Sequence, residues 1–319
     1  MVGANLFQPP ILFFLLGVGA ALARSDLEVP QPLPRLFSLY LLVAIGLRGG
    51  HELALAGLGG QVALTLGTAI AFATLLPFAA YGVLRRLLDA PNAAALAASY
   101  GSISAVTFVT ATAFLENQAV PYGPHMIAAM ALMESPAILV GVLLARRNAG
   151  ASAAETSWTQ VAHAAFLSSA VVLLLGSLAI GALVGDTGYA QVRPLFGDLF
   201  NGVLALFLLD LGIVAARRLR EVVHGSIRLV AFATVFPIGA ALAALAVGRI
   251  LALGVGDGLL LATLAASASY IAVPAAMRVV VPGANPGLYV GLPLGVTFPF
   301  NVIVGIPLYF AIATALRGG

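Results

Sequence analysis

Ten stretches of the chain are apolar for long enough to cross a bilayer as a helix, which takes about 20 mostly apolar residues. They lie near 8–23, 36–53, 57–84, 92–116, 123–145, 160–184, 195–216, 229–252, 257–281 and 287–316, and are numbered here as spans 1 to 10. Charged residues, prolines and glycines mark the breaks between them. The pattern predicts an all-α polytopic membrane protein. Span 1 ends in Ala21-Leu22-Ala23, which resembles a signal-peptide cleavage site. The segment before it, MVGANLFQPP, has no positive residue, so the stretch reads as a span rather than a leader.

Composition narrows the class. A length of 319 residues would suit two soluble domains, but 61% of the residues are hydrophobic and only 8% charged. The mean hydropathy is +1.06. A soluble domain carries about 25% charged residues. The chain has no cysteine, which removes disulfides, thiolate metal sites and cysteine nucleophiles, and its 4 histidines form no metal-spaced pair. There is no GxxxxGK[ST] loop and no GxGxxG opening a helix, so ATP-driven transport within this chain is not expected. No nucleophile–base constellation is visible either, so neither an enzyme nor a bound cofactor is expected.

All 15 basic residues are arginine, and the net charge of +3 bears on membrane orientation, not on nucleic acid. With ten spans, one side holds Arg24, Arg35, Arg85, Arg86, Arg146, Arg147, Arg217, Arg218, Arg220 and Arg228. The other holds Arg48, Arg193, Arg249 and Arg317. The positive-inside rule then predicts both termini outside and the central linker, 147–158, in the cytoplasm.

The sequence also repeats. AFATLLP at 71–77 returns as AFATVFP at 231–237, and LLVAIGL at 41–47 matches FLLDLGI at 207–213. Asn92 to Pro124 lies on Asp257 to Tyr289 without a gap, so that Ser102 meets Ser267, Ser104 meets Ser269 and Pro121 meets Pro286; Pro136 then meets Pro299. Each unit holds five spans, and an odd number makes the second copy enter from the opposite face. A 5+5 inverted repeat is the architecture of many secondary transporters, with substrate near the midplane at the repeat interface.

Spans 4 and 9 are interrupted at equivalent places. Ser99-Tyr100-Gly101-Ser102-Ile103-Ser104 falls about ten residues into span 4, roughly 15 Å or half the hydrocarbon thickness. Ser267-Ala268-Ser269-Tyr270 sits at the matching depth in span 9, with Pro274 beyond. Unwound backbone is tolerated at this depth only where it is buried in protein or lines a wet cavity. Two half-helices starting near Ser104 and Ser269 from opposite directions would aim free N–H groups at each other and form an anion site without a buried arginine. The C-terminal ends of the preceding half-helices would suit a small hard cation such as sodium. Ser104 and Thr107 share one helix face, and Thr297 and Asn301 share another. Arg278 is expected to snorkel to the interface, and Thr110 and Thr112 to bond back to their own helix.

Two carboxylates fall inside apolar runs. Glu134, in MALMESPAIL, suits a cation ligand or an organiser of the site, with a structural hydrogen bond as the alternative; its repeat partner is Thr297. Asp210, in ALFLLDLGIV, suits a structural or gating contact. Glu116 and Asp257 sit near span ends, where solvation or capping is expected.

SYGSISAVTFVTATAFLENQ at 99–118, ALMESPAILVG at 131–141, SASYIAVPAAMR at 267–278 and GVTFPFNVIVGIPLY at 295–309 resemble the sodium-dependent bicarbonate transporters of cyanobacteria. The resemblance covers nearly the whole chain. It implies a core domain of spans 3–5 (57–146) and 8–10 (225–319). It also implies a gate domain of spans 1–2 (1–56) and 6–7 (159–224), a homotrimer, and an elevator-like movement of core against gate. By match to those motifs the bicarbonate site would involve Gly101, Ser102, Ser104, Ala105, Ser267, Ala268, Ser269 and Tyr270. Sodium would involve Ser102, Thr107, Glu134, Ser267, Thr297 and Asn301. The family's cytoplasmic linker is often longer and tied to a PII-like regulatory protein. Here it is short and Ala-rich, which argues against that regulation. The expected function is sodium-coupled bicarbonate import across a bacterial inner membrane; the alternatives are another small organic anion on the same fold, an uncoupled anion channel, or a sensor without flux.

Overall fold

A computed structural model of the chain describes residues 8–56, 59–148, 157–223 and 226–318. Among these the regular elements are helices, and no strand is present. They are α1 (Pro9–Leu22), α2 (Leu33–Ala56), α3 (Gly60–Leu84), α4 (Ala90–Gly101), α5 (Ala105–Asn117), α6 (His125–Asn148), α7 (Trp158–Phe166), α8 (Ser169–Arg193), α9 (Phe200–Val223), α10 (Ile227–Ile250), α11 (Val255–Ala266) and α12 (Ala272–Val280). The last helical run, Pro286–Arg317, is α13. It loosens into π-helical turns at Pro293–Thr297 and Asn301–Gly305, beside Pro293 and Pro299.

Among the described residues, seven segments are long and apolar enough to cross a membrane: α2, α3, α4 with α5, α6, Ser169–Leu219, α10 and α13. The fifth, 51 residues long, joins α8 to α9 through the π-helical turn Pro194–Asp198. At 1.5 Å per residue it would measure about 75 Å as one helix, more than twice the hydrocarbon thickness. Helices α1 and α11 are apolar but shorter.

One boundary departs from the expectation. Span 6, read as one run over 160–184, is divided: α7 ends at Phe166, and α8 starts afresh at Ser169 and runs to Arg193. Ser168 is the cause. It adopts an extended conformation, and its hydroxyl accepts from the Val171 N–H at 3.3 Å, which starts a new helix inside apolar sequence. The central part of the linker, 149–156, and residues 57, 58, 224 and 225 at the expected domain boundaries lie outside the described residues.

Helix α2 packs along α8, and α1 along α9; α3 packs on α4 and α6, and α10 on α11 and α13. The α4–α5 run is buried along nearly its whole length, whereas α3 exposes much of its surface. The α2–α8 and α1–α9 pairs depend on close approach of backbones. A Cβ on Gly50 would lie 1.9 Å from the Leu178 carbonyl oxygen, and one on Gly181 2.1 Å from that of Leu47. Gly17 and Gly212 stand equally close to Leu209 and Phe14 across the other pair. Lipid tails are as apolar as leucine, so helices in a bilayer associate through such tight packing at small residues and not through hydrophobic exclusion.

Gly50→Val should therefore separate α2 from α8. Overpacking costs about 1–3 kcal/mol, several degrees of melting temperature for a chain of this size. Gly67→Ala, where the added methyl meets open space, should leave melting unchanged or raise it slightly. Equal melting of the two variants in detergent would refute the close-packing account.

Candidate functional site

The two breaks follow from local chemistry. Helix α4 starts at Asp89, whose carboxylate accepts from the Asn92 N–H at 3.1 Å, and stops at Gly101. A side chain there would meet the Pro77 ring of α3: an added Cβ would be 2.0 Å away. Ser102 and Ser104 are extended, and Ser104 caps α5 by accepting from the Thr107 N–H at 3.2 Å. In the second break α11 stops at Ala266, and α12 begins at Ala272, slightly later than its Ser269 signal suggested. Pro274 sets that point, because its ring cannot share a helix with the Tyr270 carbonyl four residues back. Ser269 still serves as a cap, its hydroxyl accepting from the Val273 N–H at 3.2 Å.

The breaks satisfy one another. The Ser269 N–H donates to the Ser99 carbonyl at 2.8 Å, and the Ser104 N–H donates to the Ser267 hydroxyl oxygen at 3.0 Å. The Ser104 hydroxyl donates to the Tyr270 oxygen at 3.3 Å. Helix α13 serves both breaks. The Asn301 amide donates to the Ala266 carbonyl at 2.8 Å, and the Thr297 hydroxyl pairs with the Tyr100 hydroxyl at 2.6 Å and donates to the Ala233 carbonyl at 2.7 Å.

Where the starts of α5 and α12 meet there is a cavity of about 50 Å³. Ser104 and Ala105 form one end of it, and Ser269, Tyr270 and Ala272 the other, with Glu134 of α6 on its wall. Of the residues expected at the site, Ser104, Ala105, Ser269, Tyr270 and Glu134 thus share one cavity. Gly101, Ser102, Thr107, Ser267, Ala268, Thr297 and Asn301 do not line it. Ser267 is one hydrogen bond away, through Ser104. Ala268 packs in an apolar cluster with Tyr100, Val273 and Met277. Asn301 binds the end of α11, and Thr297 bonds Tyr100 and a carbonyl inside α10, as above. The Ser102 and Thr107 hydroxyls are buried with no hydrogen-bond partner, which makes them unused oxygen donors at the break.

Sequence reasoning missed three contributors. Ser38 and Leu42 of α2 and Ala170 of α8 close the cavity from the facing helix pair. Ser38 is the lone serine in RLFSLYLL, a signal that was available; Ala170 gives none. The Thr263 hydroxyl of α11, one turn before the second break, is also buried without a partner.

Outside the site the expectations divide. Thr110 and Thr112 do bond back to their own helix, to the carbonyls of Val106 and Val109, each at 2.8 Å. Asp257 accepts from the Gly123 N–H at 2.6 Å, so it ties a loop instead of facing water. Glu116 pairs with Arg48 of α2, which also bonds Glu52 at 2.9 Å. Arg278 is exposed, and Asp210 is buried on α9.

Ser104→Ala removes the α5 cap and the Tyr270 contact, and should lower stability by about 1 kcal/mol. Thr107→Val removes a hydroxyl with no protein partner and should stay within about 0.5 kcal/mol of wild type. Thermal melts in sodium-free buffer measure both. A Thr107→Val loss as large as that of Ser104→Ala would contradict the unpartnered assignment.

The family model of the Na+-dependent bicarbonate transporter superfamily matches residues 9–314. No curated protein matches the chain. With nearly its whole length matched and its broken apolar helices crossing at a buried cavity, the chain belongs to the Na+-dependent bicarbonate transporter superfamily and is a membrane transport protein.

Proposed function

We propose that the protein is a sodium-coupled symporter that imports bicarbonate across a bacterial inner membrane, with both termini outside. The observation that carries this reading is the cavity where two oppositely derived half-helix starts meet, capped by Ser104 and Ser269 and walled by Glu134. Free N–H groups at such starts favour an anion. Family membership points to the same substrate pair.

The proposed fold is a 5+5 inverted repeat of ten spans. In support, exchanging the two sequence repeats maps the α2–α8 pair onto α9–α1, and the α3–α4 and α3–α6 pairs onto α10–α11 and α10–α13. The α1, α2, α8 and α9 group would be the gate and the rest the core. The cavity borders both, as a site carried by a moving core requires. Sodium would bind among the hydroxyls of Ser102 and Thr107, the Ser267 hydroxyl, the carbonyls ending α4 and α11, and Glu134, with Thr297 and Asn301 shaping the surroundings. Sodium beside Glu134 would offset a carboxylate that otherwise repels the substrate, so each ion would favour binding of the other, and by linkage equally in both directions. The core would then cross by an elevator-like movement only when both ions are bound or both absent. A homotrimer is part of the proposal, and regulation by a PII-like protein is not.

Uptake of labelled bicarbonate into proteoliposomes at fixed pH tests the reading. An inward sodium gradient should drive accumulation above equilibrium, and potassium should not replace it. Ser104→Leu with Ser269→Leu should fill the cavity and abolish uptake. Glu134→Gln should raise half-saturating sodium about tenfold, equivalent to about 1.4 kcal/mol. Equal flux with either cation, without accumulation, would establish a channel. Another anion outcompeting bicarbonate would establish a different substrate. Undiminished uptake by the double leucine variant would displace the site.

A further inference from the structure

We infer that a second site, a crevice at the ends of α10 and α13 remote from the transport cavity, binds the phosphate headgroup of an anionic phospholipid. The crevice has a volume of about 250 Å³ and carries two arginines, Arg249 in the last turn of α10 and Arg317 at the end of α13, with no acidic side chain among its lining residues. Its remaining wall is largely apolar, with Leu245 one turn before Arg249, Leu253 in the loop after α10 and Leu316 beside Arg317.

The charge is uncompensated. Arg48, Arg193 and Arg217 each pair with a carboxylate, whereas among the described residues no ion pair engages Arg249 or Arg317. Arg317 donates from Nη2 to the carbonyls of Ala252 and Leu253, at 2.7 and 2.5 Å. Those bonds fix its guanidinium at the crevice and leave other N–H donors unused.

The other half of the chain supplies an internal comparison. At the offset that lays Asn92 on Asp257, Gly254 of the crevice falls on Asp89. In the first half, Arg85 donates to the Leu88 carbonyl at 2.7 Å, much as Arg317 does to Leu253, but Asp89 stands next to it in the chain and caps the following helix. In the second half glycine replaces that carboxylate. The first loop thus carries an acid beside Arg85 and Arg86, whereas the crevice carries none beside Arg249 and Arg317, and an anion from outside would meet them.

Two guanidiniums match a phosphate diester, since each can present two parallel N–H donors to its oxygens. Basic pockets between membrane helices bind lipid headgroups by this chemistry. The apolar wall and the position at the ends of α10 and α13, two of the membrane-crossing segments, favour a lipid over a free anion, because exposed Ile250 and Leu316 flank the two arginines and can meet an acyl chain.

Thermal melting in nanodiscs tests the assignment. Phosphatidylglycerol should raise the melting temperature by about 3 °C over phosphatidylcholine. Arg249→Gln should match wild type in phosphatidylcholine and lose most of that increment in phosphatidylglycerol; Arg249→Lys, keeping the charge without the fork, should retain part of it. If Arg249→Gln does not fold, the lysine variant decides: an undiminished increment overturns the proposal. Equal melting of wild type in the two lipids also overturns it. So does reproduction of the increment by millimolar inorganic phosphate in phosphatidylcholine, which would make the crevice a site for soluble anions.

Discussion

Backbone polar groups inside a bilayer must find partners within the protein, because the hydrocarbon offers none. Everything around the two breaks answers to that requirement. Interrupting a helix frees carbonyls on one side and N–H groups on the other. Here the freed groups pair across the crossing: Ser269 N–H with the Ser99 carbonyl, and Ser104 N–H with the Ser267 hydroxyl. Neither break could persist without the other. Helix α13 completes the arrangement by carrying Asn301 to the end of α11. Near the breaks the Ser102, Thr107 and Thr263 hydroxyls remain unpaired, and Ser102 and Thr107 are where the proposed sodium would replace missing partners.

The same requirement accounts for the two styles of packing. Near the breaks, close contact is needed to exclude lipid, so α4 and α5 are buried nearly throughout and Gly101 sits against Pro77. Among α1, α2, α8 and α9 there is no such chemistry to protect. Those helices pair through glycine contacts that bring backbones together and leave their outer faces for lipid. A tightly paired group offering only Ser38, Leu42 and Ala170 to the cavity suits a wall against which the proposed core would slide. Few polar contacts would have to break.

Much of this was legible because serine clusters and broken apolar runs are rare in spanning helices. Ser104 and Ser269 mark expected half-helix starts, and the sodium-dependent bicarbonate transporter family is recognisable from four motifs. What could not be read was tertiary. Nothing local distinguishes Ser168, which starts a helix, from a serine inside one. Thr297 and Asn301 were placed correctly on α13, but whether a side chain meets an ion or a neighbouring carbonyl depends on what lies opposite, which is a matter of packing. Ala170 has no chemistry to betray it and matters only through position.

The two sequence repeats are also unequal in a way that bears on direction. Glu134 of the first copy opens onto the cavity, while its counterpart Thr297 is turned to Tyr100 and the Ala233 carbonyl. A repeat that kept a carboxylate in both copies would bury a second negative charge beside Tyr100 and the Ala233 carbonyl, away from the cavity. One carboxylate and one hydroxyl avoid that cost. They also distinguish the two half-helix starts, so that an anion and a cation bound there would have defined sides. The scaffold can be nearly symmetric, as the proposed alternation between two faces would require, while the charge within it is not.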